Sequence, residues 1–173
     1  MIKDLPLLVL ALTLVAAALE DMARLRISNI FPLIVMGLFP VWVAVTGWEN
    51  DIWHNATLFL AVFALGSLLF ALRWMGGGDV KLLAACALWF DWSGALPWFI
   101  YVTVGGGLLA LLIMAGRRMV PRAAREGSSL AIFAGNGPIP YGVAIALGTI
   151  MALYMTGPNP SGVARLPEFV RSL

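Results

Sequence analysis

The sequence predicts an all-α, polytopic membrane protein with about six transmembrane helices. Hydrophobic residues make up 61% of the 173 residues, charged residues only 12%, and the mean hydropathy is +0.93, well beyond the apolar share of an ordinary soluble domain. The apolar residues form six stretches, and the basic residues gather in alternate connectors between them. Because spans and short connectors use nearly all of the length, we expect residues 1–173 to form a single membrane-embedded domain.

The six stretches are those expected of helices that cross or enter a bilayer. They cover residues 5–19, 30–48, 56–72, 82–90, 95–115 and 139–156. The first stretch can also be read as a cleaved secretory signal that ends at Ala16-Ala17-Ala18. A membrane span is favoured because Lys3 is offset by Asp4, and because the basic residues follow the stretch rather than precede it.

The fourth stretch, residues 82–90, is the shortest and rises only about 14 Å as a helix, against a hydrocarbon core of about 30 Å. Residues 82–115 are nevertheless too long for one helix, and a turn at Asp91-Trp92-Ser93-Gly94 divides them. The short helix reaches across only if the bilayer thins or if its glycine-rich start lies below the surface. Asp79 would then be partly desolvated in a hydrated crevice lined by protein.

The basic residues indicate how these spans are oriented. They lie in the first, third and fifth connectors: Arg24, Arg26, Arg73, Lys81, Arg117, Arg118, Arg122 and Arg125. The positive-inside rule then places both termini outside and the odd-numbered connectors, including residues 116–138, in the cytoplasm. Tryptophans near the predicted span ends would act as interfacial anchors: Trp48, Trp53, Trp74, Trp89, Trp92 and Trp98.

The composition argues against several other classes of function. The one cysteine, Cys86, lies in an apolar stretch, and a single thiol can form neither an internal disulfide nor a cysteine zinc site. The one histidine, His54, is too few for a histidine metal site and lies in a polar connector. The pI of about 9.0 reflects the basic connectors rather than a basic face. We therefore expect no metal, no cofactor and no nucleic-acid partner.

Two aspartates are the strongest candidates for chemistry, because ionisable groups at a membrane edge are rare and usually functional. Asp79 follows Gly76-Gly77-Gly78 where an apolar stretch ends, and Asp21 ends an earlier stretch. The chain between them makes two predicted crossings, so both acids would lie at the same end of the bundle. Two close carboxylates can share a proton: one acts as general base on water while the other, protonated, polarises a peptide carbonyl. The glycine run alone is equally consistent with a hinge or a close-packing site.

Three segments resemble the type IV prepilin peptidases in order, spacing and membrane setting. They are Asp21-Met22-Ala23-Arg24-Leu25-Arg26-Ile27-Ser28-Asn29, Gly76-Gly77-Gly78-Asp79-Val80-Lys81-Leu82 and Pro138-Ile139-Pro140-Tyr141-Gly142. The short peptidases of the tight-adherence (Flp) pilus systems are similar in carrying the membrane core alone. The resemblance implies that Asp21 and Asp79 are the catalytic pair of a GxGD-type aspartic endopeptidase. It also implies a prepilin or pseudopilin substrate, whose leader is cut at the cytoplasmic face of the bacterial inner membrane.

The chain departs from the pattern of that family in two ways. Ser28 stands where proline is usual, which affects the start of a helix but not the acid. The longer, bifunctional members have a cytoplasmic domain with paired Cys-x-x-Cys motifs, whereas this chain has one cysteine. We therefore expect leader cleavage without methylation of the new pilin N-terminus.

The remaining site candidates have supporting roles. Gly76 and Gly78 allow other backbone to come close. Lys81 can stabilise an ionised carboxylate, and Asn29 and Tyr141 can hydrogen-bond to substrate backbone. These three side chains are equally consistent with helix caps or interface anchors.

The charge around the two candidate aspartates predicts which substrates the site attracts. Glu20, Asp21 and Asp79 would form an acidic mouth that attracts a basic leader, although the same acids could instead pair with neighbouring basic residues.

A proton-coupled transporter also uses paired membrane acids, but no inverted repeat is found here and both acids lie at one edge. A non-enzymatic assembly factor for pili or secretion is the third hypothesis. The expected partners are the substrate and the lipid bilayer; the sequence predicts no oligomeric state.

Overall fold

The computed structural model describes residues 5–47, 52–119 and 139–158, and these residues form helices and no strand. The all-α prediction is therefore confirmed. The helices are α1 (Leu5–Arg24), α2 (Ile30–Thr46), α3 (Ile52–Ala71), α4 (Gly77–Ala87), α5 (Trp92–Met119) and α6 (Tyr141–Thr156).

Three of these helices are long and apolar enough to cross a membrane: Leu5–Arg24, Ile52–Ala71 and Trp92–Gly116. α2 and α6 are apolar but shorter, with 17 and 16 residues. Many large apolar side chains point outward, among them Leu8, Leu12 and Leu19 on α1, as expected of a surface in contact with lipid. The count of six spans and the location of the termini stay predictions.

α4 forms the centre of the helix bundle and packs against α2, α3 and α6. Its residues from Leu82 to Ala87 are all buried, and the alanines Ala84, Ala85 and Ala87 let neighbouring helices approach closely. The helix begins at Gly77 rather than at Leu82, because the glycine-rich segment forms its first turn. Asp79 is thereby carried on the helix itself, at its N-terminal end.

Both ends of α5 also differ from the sequence prediction. The proposed turn over residues 91–94 is the first turn of α5, because Asp91 Oδ1 accepts hydrogen bonds from Ser93 Oγ and from the Gly94 N–H, both at 2.7 Å. This is the N-cap geometry that starts a helix. α5 then extends to Met119, beyond the predicted start of the fifth connector at residue 116. The rest of that connector lies outside the described residues.

Two of the predicted interfacial tryptophans are instead core residues. Trp89 and Trp98 are 0% and 1% exposed. Trp89 Nε1 donates to the Val35 carbonyl at 3.2 Å, and Trp98 Nε1 donates to Thr149 Oγ1 at 3.0 Å, so each buried indole N–H is satisfied inside the bundle. Their roles as anchors were wrongly predicted, because proximity to a span end does not show which way a side chain points. Trp53, Trp74 and Trp92 are exposed, and Trp48 lies outside the described residues.

Candidate active site

Asp21 lies in the last turn of α1 and is only 4% exposed. The helix ends just beyond it, where Leu25 adopts a left-handed conformation with φ 51° and its N–H donates to the Asp21 carbonyl at 2.8 Å. A non-glycine residue in this conformation costs on the order of 1–3 kcal/mol, so the surrounding structure must hold it there. Part of that support is a 2.9 Å hydrogen bond from the Ser28 N–H to Glu20 Oε2. The connector after α1 is thus folded back beside Asp21.

Asp79 is the third residue of α4 and is partly buried. Its carboxylate folds back over the helix start, so that a Cβ on Gly76 would lie 2.7 Å from Asp79 Oδ2. An acid at this position can reach the backbone N–H of the N-cap residue, and a helix N-terminus favours negative charge. Glycine at position 76 is therefore needed to leave room for the carboxylate.

Gly78 brings the two acid-bearing segments together. A Cβ at this position would lie 3.1 Å from both the Cβ and the carbonyl oxygen of Ile27, in the connector that follows α1. A larger residue would push the connector away from α4. The close approach explains how residues far apart in sequence come to border one cavity.

The start of α6 supplies a direct contact to Asp21. The backbone N–H of Gly142 donates to Asp21 Oδ2 at 2.8 Å, and a Cβ on Gly142 would lie 2.8 Å from the same oxygen. This buried hydrogen bond fixes the orientation of the carboxylate. The sequence analysis predicts no role for Gly142. The one sequence signal for its contact with Asp21 is its position in the Pro138 to Gly142 segment, at the start of a helix.

Both aspartates border two adjoining cavities. The first, of about 670 Å³, is lined by residues of the connector after α1 and of the start of α4, including Gly76, Gly78, Asn29 and Lys81. The second, of about 640 Å³, also borders Gly76 and is lined by the end of α3 and by Tyr141. Every site residue predicted from the sequence therefore borders one or both cavities, and the two carboxylates lie where the cavities meet.

The environment of Asp79 favours a protonated carboxyl. Asp79 lies outside the three helices that are long enough to cross a membrane. Burial and, to a lesser extent, the nearby charge of Asp21 together raise the pKa of Asp79 to about 6, although a hydrogen bond with the backbone of Gly76 partly opposes them. Near neutral pH, a proton can thus be shared between the two acids at small cost.

Lys81 and Asn29 contact each other beside the two acids. Lys81 Nζ donates to Asn29 Oδ1 at 2.9 Å, and both side chains are exposed at the first cavity. Asn29 precedes α2, but its side chain makes no capping hydrogen bond, so the alternative role as a helix cap does not hold for it. Both polar groups instead face the space beside the aspartates.

The acidic mouth is partly neutralised by its own basic residues. Glu20 and Arg24 form an exposed pair with an N···O distance of 3.4 Å. Such pairs contribute little to stability. Among the described residues no group of three or more histidine, cysteine, aspartate or glutamate side chains is arranged to hold a metal ion.

Comparison with known proteins matches part of the chain to a family. The model of a family described as the type IV leader peptidase family matches residues 8–111, which include both aspartates and the helices α2, α3 and α4 entirely. No curated protein and no solved structure matches the chain significantly. The matched segment ends before α6, so the Gly142 contact is an observation of the structure alone.

Proposed function

The chain belongs to the type IV leader peptidase family, and on that premise we propose that it is an aspartic endopeptidase with Asp21 and Asp79 as its catalytic pair. The observation that supports this pair best is that the two acids, 58 positions apart in sequence, border the same two cavities. The proposed substrate is the basic leader of a Flp-type prepilin or a pseudopilin. The proposed location is the bacterial inner membrane, with the site at the cytoplasmic face.

In the proposed mechanism the two acids divide the proton work. Asp21, oriented by the Gly142 N–H, accepts a proton from water as the water oxygen attacks the carbonyl carbon of the scissile peptide bond. Asp79, in its protonated form, donates its proton to the carbonyl oxygen. When the tetrahedral intermediate collapses, the C–N bond breaks, Asp21 passes its proton to the leaving amine, and Asp79 takes a proton back from the intermediate. Both acids then return to their starting states.

Three acids border the first cavity, Glu20, Asp21 and Asp79, and we propose that they attract basic residues of the leader. The basic side chains Arg24, Arg26 and Lys81 border the same cavity, so its charge is mixed. Lys81 and Asn29 offer a donor and an acceptor beside the pair, and we propose that they bind substrate backbone there. Tyr141, 49% exposed at the second cavity, is placed to do the same on the other side.

The decisive test is co-expression of the chain with a tagged Flp-type prepilin, followed by sizing of the product and sequencing of its new N-terminus. We expect Asp21→Asn and Asp79→Asn each to reduce cleavage by roughly a thousandfold or more, because each removes a proton-transfer group while keeping the shape of the side chain. Glu20→Gln is the matched control for proton transfer: it removes a neighbouring carboxyl of the same cavity, so we expect at most a loss of roughly tenfold through weaker attraction of a basic leader, far less than for either aspartate.

Membrane levels of the variants must be matched by immunoblot. Full cleavage by either aspartate variant would contradict the assigned pair. Absence of cleavage by any form, together with ion or solute uptake into proteoliposomes that depends on Asp79, would favour the transporter. Pilus assembly that needs the chain but neither aspartate would favour the assembly factor.

A further inference from the structure

An apolar groove of about 350 Å³ lies between α3, α5 and α6. Its lining is apolar apart from Thr103 and Tyr141, and the Thr103 hydroxyl already donates to the Phe99 carbonyl at 2.7 Å. α3 and α5 are both long and apolar enough to cross a membrane, so the groove lies where hydrocarbon is expected on its open side. The groove is therefore an apolar surface at membrane depth.

The groove is continuous with the candidate active site. Met75 and Tyr141 border the groove and also border the second cavity, which Asp21 and Asp79 share. A chain lying in the groove would thus meet the carboxylates at the end marked by these two residues. An isolated lipid pocket would have no need of this connection.

The shape of the groove suits a helix. Gly107 on α5 leaves the surface of the groove without a side chain, so a second backbone can come close there. Gly66 and Gly106 also border the groove, but the Cβ positions of these two glycines face Val80 on α4 and Ala144 on α6, so they let the walls themselves pack closely. A Cβ at Gly107 would meet nothing within 4 Å, so open space begins directly above this position. Binding of an apolar helix face in such a groove is a common recognition mode.

The chemistry of cleavage requires two environments side by side. A peptide in hydrocarbon must stay helical to satisfy its backbone hydrogen bonds, whereas a peptide bond must be exposed to be attacked by water. An apolar groove that opens into a cavity with polar walls meets both needs. The helical part can stay in the groove while the end to be cut unwinds beside the acids.

We propose that this groove binds an apolar, membrane-embedded helix of the substrate and directs its end past Met75 and Tyr141 to the catalytic pair. The inference rests on the proposed peptidase function. It adds a binding surface that selects substrates by their apolar segment, separately from the leader sequence at the cut.

The test compares two substrates and two variants. Gly107→Leu places a side chain in the groove, whereas Gly105→Leu changes the same helix at a position that does not line the groove and also has nothing within 4 Å of its Cβ position. The substrates are a tagged Flp-type prepilin with its apolar segment, and a soluble leader peptide that spans the cut but lacks that segment. We expect Gly107→Leu to cut the prepilin about tenfold less efficiently or worse, which corresponds to about 1.4 kcal/mol, and to cut the peptide normally. Gly105→Leu should cut both normally.

A second measurement uses the photoreactive residue p-benzoylphenylalanine at position 107 in the Asp79→Asn background, where bound substrate is not consumed. Crosslinks to the apolar segment of the prepilin would support the groove. Crosslinks only to lipid or to a second copy of this chain would overturn it, as would normal prepilin cleavage by Gly107→Leu or its failure on both substrates. Failure of the wild type to cut either substrate would instead overturn the peptidase function, and the groove with it.

Discussion

At the scale of single residues, two glycines leave the room that the carboxylates occupy. Gly76 lies under the Asp79 carboxylate, and Gly142 lies against that of Asp21. The space of the missing Cβ is filled by Asp79 Oδ2 at Gly76, and by Asp21 Oδ2 together with Ile27 Cδ1 at Gly142. The orientation of both acids is thus encoded by residues without side chains, which contribute nothing to the chemistry themselves.

The proton on Asp79 should be visible in the pH profile of cleavage. Because the pKa of Asp79 is raised to about 6, this group is protonated below that pH and ionised above it. If Asp79 donates a proton to the carbonyl oxygen, kcat/KM should fall as the pH rises through about 6. It should also fall at lower pH, once the second acid of the pair is protonated, and the apparent values will describe the pair as a unit.

This profile can be measured with detergent-solubilised protein between about pH 4 and 9, the range over which carboxyl groups in such pairs titrate. Glu20→Gln should keep the alkaline fall, because Glu20 is outside the pair. A rate that rises to a plateau above neutral pH would contradict a protonated Asp79.

The sequence distinguishes the two acids because an aspartate at the end of an apolar stretch is costly and has few structural uses. It does not predict the contact between Lys81 and Asn29, or the role of Gly142. These depend on how segments 52 and 121 positions apart approach each other, which neither periodicity nor composition encodes.

At the scale of helices, α1 and α3 end in the same way beside the site. Leu25 after α1 and Arg73 after α3 both take left-handed conformations, with φ 51° and 61°. Arg73 is followed by a hydrogen bond from the Trp74 N–H to the Leu69 carbonyl at 2.9 Å, which closes the end of α3. These sharp ends turn the chain directly into the cavity walls.

The contact between α6 and α1 can be tested by Gly142→Ala. The added methyl group would lie 2.8 Å from Asp21 Oδ2 and 2.6 Å from Ile27 Cδ1, so the carboxylate and the end of the Ile27 side chain must both shift and the 2.8 Å hydrogen bond to Asp21 is disturbed. We expect cleavage to fall on the order of a hundredfold, because misplacing a reacting group by about 1 Å has that effect. Gly37→Ala is the control, since a Cβ there meets nothing within 4 Å.

Cleavage and membrane level are measured together for both variants. Normal cleavage by Gly142→Ala would show that the α6 contact does not position Asp21. Loss of the Gly142→Ala protein from membranes would show a folding defect instead. Gly142→Ser adds a Cβ at the same position, so it should then be lost from membranes as well.

Helix boundaries show where prediction from sequence succeeds and where it stops. The apolar stretches identify the six helices of residues 5–47, 52–119 and 139–158, because helices in lipid must be apolar over most of their length. The start of α4 is missed because glycine is a poor helix former, yet Gly77 and Gly78 are helical here. Tertiary packing around α4 overrides the local preference.

At the scale of the whole molecule, the distribution of basic residues predicts the orientation in the membrane. Both termini should lie outside, and the connectors that follow α1 and α3 should face the cytoplasm. Alkaline phosphatase fused after position 50 or at the C-terminus should be active, and the same enzyme fused after Met119 should be inactive. Green fluorescent protein fusions at the three positions should give the opposite pattern. Inversion of both patterns would place Asp21 and Asp79 on the outer side.

The enclosure of α4 has a consequence for how the protein tolerates different membranes. α4 has 11 residues, rises about 16 Å, and is covered by α2, α3 and α6. Lipid therefore does not set its vertical position, whereas a lipid-exposed helix tilts or shifts when the bilayer changes thickness. The height of Asp79 is therefore set by the packing of α4 against protein rather than by lipid, and we expect cleavage to depend little on the length of the lipid acyl chains.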